Sequence, residues 1–215
     1  MSELQRVLTD YRVLLARVDA WFARCVAQAG RHIQCRPACS QCCRGLFDIT
    51  LLDAYVLRQG FDRLAAGIRQ VAVAKAEAQL AELQQLWPGF GAPYLLNHLP
   101  DEMWTEMPED DMTPCPLLGA DGLCLVYAHR PMTCRLHGLP NIDRQGESFS
   151  DDWCSLNFAG VDPLAMAELR FDFRQAFTEE LELFRQVTRC LLGAPRNEMD
   201  TFIPLALLID FQTLG

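Results

Sequence analysis

The chain has 215 residues, half of them apolar and 22% charged, with a formal net charge of -9 and a pI near 4.9. A chain of this length buries a substantial core without needing two domains, so residues 1–215 are expected to form a single domain. The acidic balance excludes nucleic acid as the main partner, because phosphate binding needs a dense basic face.

The first segment predicts a long amphipathic helix. Ser2 and Gln5 make a capping box. Leu4, Leu8, Tyr11, Leu15, Val18, Phe22 and Cys25 then recur at helical spacing until Gly30. Cys25 lies on that stripe and reads as a small core thiol. The charged N-terminus has no compact apolar block, so no signal peptide is expected. No apolar run reaches the roughly 18–20 residues that span a bilayer, so no membrane partner is expected either. The expected location is the cytoplasm, where thiols stay reduced.

Next comes Cys35-Arg-Pro-Ala-Cys39-Ser-Gln-Cys42-Cys43, a knot of four cysteines within nine residues. "LFDIT" then predicts a short strand. Thr50 and Asp53 offer a cap for a helix through Leu57 that stops near Gly60. A second helical pattern on Leu64, Ile68, Val71, Ala78 and Leu83 runs to Trp87, where Pro88-Gly89 breaks it. Residues 88–113 read as a long acidic loop. Six carboxylates between Asp101 and Asp111 meet no Lys or Arg there. Such a run is a solvated loop or a surface for a protein partner.

"PLL" and "LCLVY" flank "GADG", which predicts a β-hairpin over 116–127. The segment from His129 to Leu136 suits one or two helical turns. Asp162 as N-cap and Pro163 at the first position predict a strong helix carrying Leu164, Phe173, Phe177, Leu181, Phe184, Val187 and Leu191, closed by Gly193. Cys190 falls in that helix and reads as core. Residues 200–214 are apolar nearly all round, which predicts a buried helix or half of a homodimer interface. The fold class expected is mainly α, with a short hairpin and a cysteine-rich metal-binding region over 35–156.

Setting aside the two helix cysteines leaves eight of the ten: Cys35, Cys39, Cys42, Cys43, Cys115, Cys124, Cys134 and Cys154. All sit in loops or short elements, where thiolates can converge. Thiolate selects zinc or iron–sulfur among common cytosolic metals. The C-x3-C-x2-C spacing of Cys35, Cys39 and Cys42 matches the cluster motif of radical S-adenosylmethionine enzymes. Gln41 replaces the usual aromatic, however, and no α/β barrel follows. A disulfide framework suits small secreted proteins rather than this chain. A zinc ribbon shows two C-x2-C knuckles, and only Cys39 to Cys42 is present. A [4Fe–4S] cluster and zinc both stay open, as do one site and two. No nucleotide-binding glycine loop and no catalytic histidine constellation stand out, so a binding protein is preferred to an enzyme.

"CSQCCRG" followed by "CPLLGADGLCLVYAHRPMTCR" resembles the CxxCxxCC family of YkgJ-type cysteine-cluster proteins, a zinc- or iron-chelating domain. Cys39, Cys42, Cys43, Cys115, Pro116, Leu117, Leu118, Cys124, Val126, Tyr127, Arg130, Pro131, Cys134 and Arg135 carry the match. Three residues, not two, separate Cys35 from Cys39, which departs from the pattern. The resemblance implies a metal ion or cluster as the partner. Flagellin lysine methylases share the cysteine pattern, which keeps a second reading: a metal- or cluster-dependent enzyme that modifies protein. Arg44, Arg130 and Arg135 are candidates to offset thiolate charge from outside the ligand shell or, alternatively, to pair with the acidic loop. His32 and His137 flank the cysteines as nitrogen ligands or as nearby surface groups.

Overall fold

In the computed structural model, which describes residues 1–100, 103 and 112–214, the fold is mainly helical, as expected. Helix α1 (Glu3–Ala29) starts where the Ser2 hydroxyl accepts the Gln5 N–H at 3.2 Å. It buries Leu8, Tyr11, Leu15, Val18 and Cys25 of the expected stripe, and Val7, Leu14 and Trp21 beside it. Strand β1 (Asp48–Thr50) runs into α2 (Leu51–Phe61), whose first turn is capped by the Thr50 hydroxyl. Helix α3 (Ala66–Leu86) follows. Farther on come α4 (Met132–Leu136), β2 (Asn141–Ile142) and β3 (Ser148–Ser150). The chain then forms α5 (Phe173–Leu192), β4 (Asp200–Phe202) and a one-turn α6 (Ile203–Ala206).

The main core lies between α1 and α5. Trp21 donates its indole N–H to Leu169 O at 2.7 Å and meets Phe173 edge-on at 5.1 Å. That satisfies its polar end while its ring fills the core. Strands β1 and β4 pair antiparallel with Ile49 opposite Thr201. The C-terminal segment is thereby stitched beside the cysteine knot.

Four expectations change. The helix expected from Asp162 begins only at Phe173. Asp162 does cap, accepting Leu164 N at 2.9 Å, but it caps a 3-10 turn over Pro163–Ala165. A second 3-10 turn over Ala167–Leu169 follows, and Phe171 N then donates to Ile142 O at 3.1 Å, which holds that stretch extended beside β2. The 116–127 hairpin shrinks to a single bridge, Leu118 to Cys124. Helix α3 buries Ala72, Ala76, Gln79 and Leu83, while Ile68 and Val71 face outward, because small side chains let α6 pack close. The apolar C-terminus is no single long helix. It forms β4, α6 and a turn, and Thr201 to Leu207 are all buried within the chain itself, so its apolar face is already covered. No helix among the described residues is long and apolar enough to cross a membrane. The acidic run proposed as a partner surface lies almost wholly outside the described residues.

Buried Tyr11 and Asp53, with half-buried Glu180 beside them, link the core to α4. The Tyr11 hydroxyl donates to Asp53 Oδ1 at 2.7 Å and stands 3.3 Å from Glu180 Oε1. One phenol proton serves one carboxylate, so a proton on Glu180 closes the second contact. Burial and the neighbouring Asp53 charge raise the Glu180 pKa well above 4.5, with Asp200 adding to the effect and the Tyr11 contact opposing it. The folded protein therefore holds a proton that the unfolded chain releases above pH 4.5. Stability is fully present below that pH and falls as pH rises through the higher folded pKa. Glu180→Gln is expected to flatten this decline in urea titrations across pH 5 to 8 and to gain on the order of 1–2 kcal/mol at the alkaline end. An unchanged slope would mean that Glu180 is ionised in the fold.

Candidate metal centre

The knot is two successive turns. Cys39 N donates to Arg36 O and Cys43 N to Ser40 O, each at 3.0 Å. Ala38 takes the left-handed conformation, with φ 65°. These turns leave Cys35, Cys39, Cys42 and Cys43 half-buried on an irregular loop. A short ladder joins the loop to the second cysteine segment. Gly45 N donates to Thr113 O and Cys115 N to Cys43 O, both at 2.9 Å. Cys43 and Cys115 are thus tied backbone to backbone across the whole α2–α3 excursion.

From Cys115 the chain turns tightly. Leu118 N returns to Cys115 O, and Leu125 N bonds Leu117 O, each at 2.9 Å. Gly122 adopts φ 78°, and a Cβ there would stand 3.1 Å from Ala38 O. The glycine both permits the turn and lets the knot lie against it. Leu117 and Val126 anchor the turn in a core cluster with Leu57, Phe61 and Ile203, and Cys115, Cys124 and Cys134 pack on the same cluster.

Cys134 rides on α4. Asp53 fixes that helix by accepting Met132 N on both oxygens, at 3.1 and 3.0 Å. Arg135, only 4% exposed, donates to Arg130 O at 3.0 Å and Ala128 O at 3.1 Å and ion-pairs with Asp19. Arg130 reaches the same Asp19 at 2.7 Å, with its guanidinium 3.9 Å over the Tyr127 ring. These two arginines spend their hydrogen bonds on α1 and on backbone. Arg130 still bears on the thiols through its charge, which lowers the pKa of Cys42 and Cys124. Arg44 donates to Met112 O at 3.5 Å.

The remaining cysteines meet at a different point. Cys154 N donates to Gly138 O at 3.3 Å. Asn157, 2% exposed, donates Nδ2 to Gly138 O at 2.7 Å and to Cys35 Sγ at 3.5 Å, and its Oδ1 accepts Gln34 N at 2.8 Å. No periodicity or spacing marks Asn157 in the sequence, and it was not among the expected site residues. His137 lies edge-on to Phe47 at 5.4 Å, and His32 accepts Arg31 Nε at 2.8 Å.

All ten cysteines are free. Burial raises Cys35, Cys115, Cys124 and Cys134, taking Cys115 to about 11. Cys42 is raised chiefly by its hydrogen bond to Cys43, which in turn is lowered by it. Cys43 is therefore the thiol prepared to ionise first. Charges on Cys115, Cys124 and Cys134 oppose that ionisation, and those on Cys39, Cys154 and Cys42 oppose that of Cys35. Such a set stays largely protonated alone and ionises together around a cation. Its softness fits zinc or iron–sulfur. Among the described residues no three His, Cys, Asp or Glu side chains are gathered to hold a single ion as they stand, so a shared ion would require the sulfurs to move closer together.

Cys25 and Cys190 lie apart from this region. Cys25 is fully buried in the α1–α5 core, whereas Cys190, expected in the core, is exposed near the end of α5. The apolar arc of α5 runs through Phe184, Val187 and Thr188 and leaves position 190 outside. Cys25→Ala is expected to cost about 1 kcal/mol and Cys190→Ala close to nothing, with metal content unchanged in both. Metal loss in either variant would overturn the separation of core from site cysteines.

A family model, CxxCxxCC, described as a putative zinc- or iron-chelating domain, matches residues 34–155. No curated protein and no solved structure matches the chain.

Proposed function

The chain belongs to the CxxCxxCC family, and on that premise we propose that it is a cytoplasmic metal-binding protein whose loop thiolates clamp three distant segments onto one helical core. The observation that carries this reading is the backbone tie between Cys43 and Cys115 at 2.9 Å. It brings two irregular cysteine loops side by side. Of the two metals, iron–sulfur is the better supported. Zinc ribbons pair their ligands in two C-x2-C knuckles, whereas here only Cys39 and Cys42 are so paired and Cys115, Cys124, Cys134 and Cys154 stand singly, as cluster ligands also do. Ten free thiols suit a reducing compartment.

The test is anaerobic purification with zinc, iron and acid-labile sulfide counted per chain. A brown protein with sulfide is expected. Colourless protein with stoichiometric zinc would change the metal. Protein that retains no metal, and whose thiols react equally before and after metal is offered, would overturn the function.

A further inference from the structure

We propose that the groove between α3 and the turn from Cys115 to Cys124 docks a protein partner, one that offers an aliphatic side chain flanked by carboxylates. The partner would then rest on the back of a turn that bears two of the loop cysteines. Docking of this kind does not need the metal, although its purpose beside those cysteines does.

The groove holds about 300 Å³. Ile68 and Val71 of α3 line one side, and Pro116, Leu118 and Leu125 line the other. Helix α3 turns its alanines inward, which leaves Ile68 41% and Val71 59% exposed. Two branched aliphatics on adjoining positions of one face, opposite three more apolar residues, form a continuous strip rather than scattered exposure. The space suits roughly one or two aliphatic side chains, the size of the buried anchor at the centre of a small interface.

Charge selects the occupant. Lys75, the only lysine of the chain, lines the same groove one turn beyond Val71. Arg63, just before α3, stands with Nη1 3.1 Å from His129 Nε2, and Arg69 donates to Asp62 O at 2.7 Å. Among the described residues none of these three cations forms an ion pair. The nearby carboxylates are engaged elsewhere: Asp62 pairs with Arg58, and Asp121 accepts Leu123 N at 3.1 Å within the turn. Glu77, two positions after Lys75, projects from the other side of the helix. A chain of net charge -9 thus keeps a cationic rim around an apolar slot, which complements an acidic surface. A second copy meeting the groove about a two-fold axis would set this rim against itself.

The probe is a synthetic amphipathic helix of about fifteen residues, with leucines on one face flanked by glutamates, beside a twin carrying lysine for each glutamate. Binding is read by fluorescence anisotropy on metal-loaded and on chelated protein. Wild type is expected to bind the acidic peptide and not the basic one. Lys75→Glu and Val71→Ser should each weaken the acidic peptide about tenfold. Both positions are exposed, so the fold should persist, as circular dichroism checks. Lys75→Glu should also gain affinity for the basic twin, which lost packing alone does not produce. Carbodiimide coupling, mapped by mass spectrometry, should join a peptide glutamate to Lys75. No binding by wild type, or equal binding by wild type and both variants, would overturn the proposal. So would a dimer in light scattering that Val71→Ser abolishes, or capture of phosphatidylglycerol vesicles in place of the peptide. A chain that takes up no metal yet binds the acidic peptide through Lys75 would sink the metal-binding reading and leave the docking site standing.

Discussion

Metal removal is expected to raise amide exchange across residues 31–48 and 113–156 by about a hundredfold or more, while α1 and α5 keep most of their protection. Among the backbone hydrogen bonds of the described residues, those of Cys43 and Gly45 tie the two loops directly to each other. Residues 31–48 are mostly turns and bends, and residues 113–156 hold only the short α4 and the two-stranded β2–β3 pair between turns and single bridges. Structural four-thiolate sites supply on the order of 10 kcal/mol in small domains, and a hundredfold change reads out only about 3 kcal/mol of that. The α1–α5 core is built from Trp21, Phe173, Leu183, Phe184 and Val187, none of which depends on cysteine, so it survives as a partly folded platform. Cys134→Ser is the point version of the experiment, because on the proposed reading α4 would carry one ligand in from the core side. Equal protection in the apo and metal-bound forms would make the metal a passenger.

Asp53→Ala is expected to cost about 3–5 kcal/mol, lowering the melting temperature by roughly 10 °C in a chain of this size. Asp53 is 3% exposed. Its carboxylate accepts the Tyr11 hydroxyl and the Met132 N–H. Truncation strands the Met132 N–H and leaves the Tyr11 hydroxyl only its 3.3 Å contact with Glu180, and an unmet buried group forfeits its full desolvation cost. The same change unhooks α4, so metal should leave Asp53→Ala faster than wild type even at a temperature where it remains folded. Asp53→Asn retains one acceptor and should cost less. Paired urea titrations of apo and loaded forms check both effects. A loss below about 1 kcal/mol would show that packing alone seats α4.

Patterns local to a few turns of chain were legible. The Ser2 cap, the apolar stripe of α1 and the Thr50 cap of α2 each depend on residues three or four apart, and each appears in the structure. The separation of Cys25 from the loop cysteines was legible for the same reason. Long-range pairing decided what sequence patterns could not. Asp162-Pro163 was a sound start signal, but it opens only two 3-10 turns, and the tie of Phe171 to Ile142 delays the α-helix until Phe173. In α3, alanines rather than the larger aliphatics face inward, since helix approach rewards small side chains there. Asp53 was readable as a first-turn residue but not as the anchor of a helix far along the chain. Asn157 carries no pattern at all. Its role exists only once Gly138, Gln34 and Cys35 are brought to it.

The pairing of the earliest elements with the latest also sets a timetable for synthesis. Trp21 is covered by Leu169, Phe171 and Phe173, and β1 waits for β4. A nascent chain that has already displayed Cys35 to Cys43 to its surroundings can rest α1 on α2 and later on α4, but the cover that α5 supplies arrives only when nearly all the remainder has left the ribosome. Contacts this distant in sequence also slow closure after release. The knot therefore spends its youth as four exposed thiols on an unfinished protein, and metal insertion becomes a late step, taken when the last strand has been added.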